Sequence, residues 1–169
     1  MRYMSKNMFR YLLVAIATIF MSWQLFTTNA MAANFTESSA RIVKQNDNQS
    51  YTLSSDELAI GKKLFNSACA NCHVGGITYT NPNVDLNLQT LALATPPRDS
   101  IDSLVDYLKN PTTFDGEVEI SEIHPSLKST EIFPMMRGLT DEQLKDISGY
   151  ILYKGQLEGI KWGGGKIYY

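Results

Sequence analysis

The stretch Cys69-Ala70-Asn71-Cys72-His73 decides how the rest of this sequence is interpreted. Two cysteines separated by two residues and followed directly by a histidine form the pattern for covalent attachment of a c-type haem. Each thiol can add to one vinyl group of the porphyrin, and the histidine then lies against one axial face of the iron. A thioredoxin-like redox pair and half of a zinc site both fit poorly, because there is no second cysteine pair and no β-α-β pattern around the motif.

The first 32 residues have the features of a signal peptide. Basic residues precede an apolar run over residues 11–26, and Ala30-Met31-Ala32 has the small-x-small form of a cleavage site. We therefore predict that residues 1–32 are removed and that the mature chain starts at Ala33. A retained membrane anchor is the alternative, but polar residues at the end of the run leave its apolar core too short for a comfortable span. The basic residues are Arg2, Lys6 and Arg10.

The mature chain is acidic. It keeps 12 of the 15 basic residues and all 17 acidic ones, which gives a formal charge of −5. This balance argues against nucleic acid or an anionic membrane surface as a partner and is compatible with basic protein surfaces. Haem is attached to such motifs on the translocated side of an energy-transducing membrane, so we expect a periplasm-like compartment or a thylakoid lumen.

Three helices are predicted after a polar N-terminal extension over residues 33–54, which we expect to be an extended lead-in with a strand near Tyr51–Leu53. The first helix, capped by Ser54 or Ser55, leads directly into Cys69. Its Gly61 predicts close approach of another helix, because glycine inside a helix costs about 1 kcal/mol relative to alanine.

The second and third helices have equally clear boundaries. The second is capped by Asp99 or Ser100 and is stopped by Asn110-Pro111. The third begins at the capping box of Thr140 and Gln143 and is predicted to end at Gly155. We therefore predict an all-α, class I cytochrome c-like fold over residues 55–155, followed by an irregular tail over residues 156–169.

The ligand on the side of the iron opposite His73 is not determined by spacing. The chain has one further histidine, His124, in a long irregular excursion over residues 112–139. Met135 and Met136 precede the last helix, roughly where soluble cytochromes c place a methionine ligand. Spacing divides the choice about evenly between histidine and methionine, and an open site is a third possibility. A His/His haem tends to a low potential and a His/Met haem to a high one.

Other segments make the chain recognisable. The most specific are Ile123-His124-Pro125-Ser126 and the ending Lys161-Trp162-Gly163-Gly164-Gly165-Lys166-Ile167-Tyr168-Tyr169. With Leu91-Ala92-Leu93-Ala94-Thr95-Pro96-Pro97-Arg98-Asp99 and the haem motif, they make residues 67–169 closely resemble the low-potential cytochrome c-550 (PsbV) family of photosystem II. The resemblance weakens before about residue 50.

The resemblance implies one covalent haem c, held through Cys69 and Cys72, with His73 and His124 as axial ligands. It also implies an extrinsic, peripheral subunit on the lumenal face of the thylakoid membrane, where photosystem II core subunits and other extrinsic oxygen-evolving-complex proteins are its partners. The family supports the manganese–calcium cluster and its retention of calcium and chloride, and the tail contacts the photosystem.

Two other functions remain as alternatives. A diffusible lumenal electron carrier would be favoured by methionine ligation and a loose tail. A haem enzyme would need an open iron site, so we rank it last and predict that the chain is not an enzyme.

Replacing Cys69 or Cys72 with serine should leave the haem held by one thioether or lost altogether, because each thiol is predicted to form one bond to the porphyrin. The absorption maximum of the alkaline pyridine haemochrome reports the number of thioether bonds. A doubly attached haem in either variant would rule out the assignment.

Overall fold

A computed structural model of the chain describes residues 6–165, apart from the side chains of residues 6 and 23–36. The chain divides into two units, residues 1–39 and 40–169. The first unit is formed by helix α1, Lys6–Ala40, whose side chains at residues 7–22 are exposed. In the part of the chain that the structure describes, no helix combines the length and hydrophobicity needed to cross a membrane. The predicted signal-peptide residue Arg2 and the side chains of residues 30–32 lie outside the described residues.

The second unit begins with a small hairpin. Strands β1, Ile42–Asn46, and β2, Gln49–Thr52, pair in antiparallel register, with Val43 opposite Tyr51. The predicted strand near Tyr51 is confirmed. The extended lead-in is wrong over residues 33–40, which continue α1, since the alanine-rich stretch around residue 32 favours helix.

The helices that follow are α2 to α6. They are α2 (Ser55–Ala68), α3 (Ala70–His73), α4 (Leu88–Leu93), α5 (Ile101–Lys109) and α6 (Asp141–Glu158). Single 3-10 turns lie at Val74–Gly76, Leu127–Ser129, Pro134–Met136 and Gly159–Lys161.

The predicted starts of the three main helices are confirmed. Ser54 caps α2, Ser100 caps α5 and Thr140 caps α6, each by accepting a hydrogen bond from the backbone N–H three residues ahead. In α2 the Glu57 side chain accepts a hydrogen bond from the amide of Ser54, which completes a capping box. In α6 the Gln143 side chain accepts one from the amide of Thr140 in the same way.

The predicted end of the last helix is wrong. α6 continues through Gly155 to Glu158, and Gly159, with φ of 57°, ends it. A Cβ at Gly155 would lie 2.8 Å from Leu88 Cγ, so this glycine permits the packing of α4 against α6.

Helices α2 and α6 cross at Gly61. A Cβ at this position would lie 2.1 Å from the carbonyl oxygen of Asp146 and 3.0 Å from Tyr150 Cβ. The predicted close approach of a second helix is therefore confirmed. Around the crossing, the hydrophobic core joins α2, α5 and α6 to the hairpin. Its buried side chains include Val43, Phe65, Ile101, Leu104, Leu144, Ile147 and Leu152.

Replacing Gly61 with alanine should lower the free energy of unfolding by about 1–3 kcal/mol, because the methyl group overpacks the crossing. At an exposed helical site the same change would stabilise the protein by about 1 kcal/mol. The sign of the change in unfolding free energy therefore distinguishes a close helix crossing from an exposed position. Chemical denaturation measures the effect, and Lys62→Ala on the exposed side of α2 is the control. A Gly61→Ala protein as stable as the original would contradict the close packing.

Candidate functional site

A cavity of about 630 Å³ lies beside the haem-attachment motif. All four predicted site residues, Cys69, Cys72, His73 and His124, line it. The rest of the lining comes from α2, α4, α5, α6, the loop over residues 78–86 and the excursion after residue 111. Its apolar members include Phe65, Leu86, Leu91, Leu104, Leu108, Ile120, Phe133 and Ile151.

The cysteines reach the cavity because α2 ends directly at Cys69. The amide of Cys69 donates to the carbonyl of Phe65, and the amides of Cys72 and His73 donate back to the carbonyl of Cys69 at 3.1 and 2.9 Å. This single helical turn, α3, brings both thiols and the imidazole to the same cavity. Burial raises the pKa of the Cys69 thiol to about 12, so it is protonated at neutral pH.

His73 is held from the loop that follows α3. Its Nδ1 lies 3.1 Å from Oγ1 of the buried Thr78. Burial lowers the pKa of His73, which favours the neutral imidazole. A neutral ring has one nitrogen with a free lone pair, as a metal ligand requires.

His124 is positioned by a turn of the excursion, in which its amide donates to the carbonyl of Ile120 at 2.8 Å. Its Nδ1–H donates to the carbonyl of Pro125 at 3.0 Å, which leaves the Nε2 lone pair free. Burial, helped by the neighbouring His73, lowers the pKa of His124 to about 4. The ring is therefore neutral at physiological pH.

The two imidazoles lie at the separation that a shared metal ion needs. Their ring centroids are 6.1 Å apart. Metal–nitrogen bonds of about 2.0 Å, with each ring centre roughly 1.1 Å beyond its nitrogen, place two axial rings about 6.2 Å apart. The interplanar angle of 54° is compatible with this, since each ring can rotate about its own metal–nitrogen bond. The residues present thus fit a haem iron between them.

Both methionine candidates also line the cavity. Met136 is almost fully buried, with 1% of its surface exposed, and belongs to the hydrophobic core, whereas Met135 is 41% exposed. The structure therefore places all the sequence-predicted ligand candidates on the lining of one cavity, with the ring of His124 6.1 Å from the ring of His73.

Sequence reasoning assigned no role to three polar or aromatic residues of this cavity, Asp85, Arg98 and Tyr107. Asp85 is 2% exposed, and its Oδ2 has no hydrogen-bond partner among the described residues. A Cβ at Gly163 would lie 2.6 Å from this oxygen, so the carboxylate packs against the start of the tail. Arg98 could have been suspected because it lies two residues before the cap of α5, and Tyr107 because it follows Leu104 by three residues on α5.

The irregular tail begins later than predicted, since α6 continues to Glu158 and a 3-10 turn covers Gly159–Lys161. Trp162 is 3% exposed and packs against the rings of Phe65 and Tyr150, with centroid separations of 5.8 and 6.3 Å. The amide of Gly163 donates to the carbonyl of Gly75 at 2.9 Å, directly after the haem motif. The start of the tail is therefore part of the folded unit, while residues 166–169, including Lys166, Tyr168 and Tyr169, lie outside the described residues.

Comparison with known proteins agrees with this site. The family described as the cytochrome c-550 domain matches residues 33–169. The chain belongs to the cytochrome c-550 family. As a cytochrome c of this family, it carries covalently bound haem c.

Relatives extend the match to nearly the whole chain, and a solved structure matches most of it. The chain is 52% identical to photosystem II extrinsic protein V of Thermosynechococcus vestitus, over 92% of this chain and 96% of that protein. It is 53% identical to the protein of the same name from Nostoc punctiforme, over 96% and 100%. The crystal structure of cytochrome c549 covers 74% of this chain and 98% of its own, with a TM-score of 0.72 at 51% identity. The predicted class I cytochrome c-like fold is therefore confirmed.

Proposed function

We propose that this member of the cytochrome c-550 family is an extrinsic haem subunit of photosystem II, bound peripherally to the lumenal side of the thylakoid membrane. There it stabilises the oxygen-evolving manganese–calcium cluster and supports retention of calcium and chloride. The observation that most supports this is the identity of 52–53% with photosystem II extrinsic proteins over almost their full length. Photosystem II core subunits and other extrinsic oxygen-evolving-complex proteins are its partners.

In this proposal, Cys69 and Cys72 hold haem c by two thioether bonds, and His73 and His124 are the axial ligands. When bound, the haem supplies a one-electron couple at iron. Two neutral imidazoles stabilise ferric iron, so the potential is low. The hydrogen bond from His124 Nδ1 to Pro125 keeps Nε2 as the ligating atom. If both imidazoles bind the iron, no position on it is left open for a substrate, and on this proposal the chain is not an enzyme.

A soluble lumenal electron carrier with a His/Met haem is the second candidate. It is supported by the burial of Met136 in the same cavity as His124. Ligation by this thioether would favour ferrous iron and raise the potential.

The ferric protein should show a low-spin, bis-imidazole electron paramagnetic resonance spectrum and titrate at a low potential. His124→Met should raise the potential and introduce a sulfur-to-iron charge-transfer band, which a bis-imidazole haem lacks. Met136→Leu is the matched control and should keep the original spectrum, because a similar apolar volume fills the core. A charge-transfer band in the original protein that Met136→Leu abolishes would make the electron carrier the better account.

Deleting residues 166–169 should weaken binding to photosystem II and leave the visible spectrum unchanged, because the deletion spares Trp162 and its core contacts. The measurement is the salt concentration that releases the protein from reconstituted photosystem II membranes, with oxygen evolution assayed at low calcium and chloride. Lys63→Ala removes one exposed positive charge elsewhere and is the control. Equal retention of the deleted and original proteins would count against a tail contact.

A further inference from the structure

An arginine, a tyrosine and His124 form a continuous stack on one side of the cavity. The guanidinium carbon of Arg98 lies 4.0 Å from the centroid of the Tyr107 ring. The Tyr107 ring in turn meets the His124 ring edge to face, with centroids 5.0 Å apart and an interplanar angle of 64°. Both distances are within the range of favourable cation–π and aromatic contacts.

The same guanidinium holds the backbone of the excursion. One terminal nitrogen of Arg98 donates to the carbonyl of Thr113 at 2.6 Å, and to the carbonyl and hydroxyl of Thr112 at 3.0 and 3.2 Å. Arg98 is 7% exposed, so these bonds are largely shielded from water. A buried guanidinium without such partners would be strongly destabilising.

The segment held by Arg98 leads to His124. Thr112 forms a bridge with Glu119, and the amide of Ile120 donates to the carbonyl of Pro111 at 2.9 Å. The next turn is closed by the bond from the His124 amide to the Ile120 carbonyl. Arg98 therefore acts on His124 by two routes, through the Tyr107 ring to the imidazole and through the loop backbone to the Cα atom.

We infer that Arg98 and Tyr107 are positioning residues that hold the His124 imidazole in the orientation required of an axial ligand. The inference rests on the proposed function, since it takes His124 as the ligand. His124 comes from a long loop, whereas His73 is tied to α3 and to two thioether-forming neighbours. His124 is thus the ligand whose position depends on contacts beyond its own segment. The edge-to-face contact restricts rotation of the imidazole, and the bonds to Thr112 and Thr113 restrict movement of the loop away from the iron.

The test is the rate at which carbon monoxide binds the ferrous protein, because carbon monoxide can bind only when an axial ligand leaves. Tyr107→Leu removes the ring and should speed binding between about two- and tenfold, the range that corresponds to the loss of one aromatic pair. Its ferric resonance lines should also broaden as the imidazole plane becomes less fixed. Tyr107→Phe keeps the ring and is the matched control, with a rate within about twofold of the original.

Arg98→Lys tests the same inference if Tyr107→Leu does not fold. Lysine keeps the charge but loses the planar surface and the forked donors. We expect carbon monoxide binding to be at least about twofold faster in this variant. An unchanged rate of carbon monoxide binding in Tyr107→Leu would overturn the inference. If Tyr107→Leu does not fold, an unchanged rate in Arg98→Lys would do the same. A Tyr107→Phe rate equal to that of Tyr107→Leu would also overturn it.

The original protein separates failure of this inference from failure of the proposed ligand set. If its ferric spectrum is not bis-imidazole, the assignment of His124 falls and the inference falls with it. If that spectrum is bis-imidazole and the variants bind carbon monoxide no faster, only the role of Arg98 and Tyr107 is overturned.

Discussion

The contact between α2 and α6 at Gly61 is the constraint on which the site depends. Because this residue has no side chain, the two helices approach until a Cβ would overlap the Asp146 carbonyl. The approach sets the direction in which α2 ends, and α2 ends at Cys69. One turn later His73 faces the cavity. A helix pair held farther apart would deliver the same motif to a different place, so the attachment chemistry depends on a backbone contact remote from it.

The opposite side of the cavity is built differently. His124 lies on an irregular segment, which has no helical ladder to fix its side chain. Its position comes from hydrogen bonds at both ends, from Arg98 to Thr112 and Thr113 and from Nδ1 to the carbonyl of Pro125. The two imidazole rings, whose centroids are 6.1 Å apart, are therefore positioned by different kinds of contact. One proposed ligand, His73, is positioned by the local geometry of a helical turn, and the other, His124, is on a segment held by long-range contacts.

The carboxyl-terminal segment connects the folded unit to its proposed partner. Trp162 packs in the core beside Phe65, and the Gly163 amide binds the carbonyl of Gly75. The residues proposed to contact photosystem II therefore come directly after a segment that is held next to Gly75, two residues beyond the haem motif. Burial of this large aromatic side chain stabilises the folded unit, and it fixes the start of a glycine-rich segment that has no regular secondary structure of its own.

The sequence by itself determined the haem motif, the starts of α2, α5 and α6 and the close approach at Gly61, because capping boxes, helical periodicity and attachment spacing are local properties. It failed at Gly155, since the course of α6 there depends on how the distant Leu88 packs against it. It also failed over residues 33–40, where the alanine-rich stretch continues α1. Only the tertiary structure brought His124 within 6.1 Å of His73 and placed Arg98 and Tyr107 behind it. The physical reason is that the loop carrying His124 has no periodic pattern, so its course is set by long-range hydrogen bonds and ring contacts.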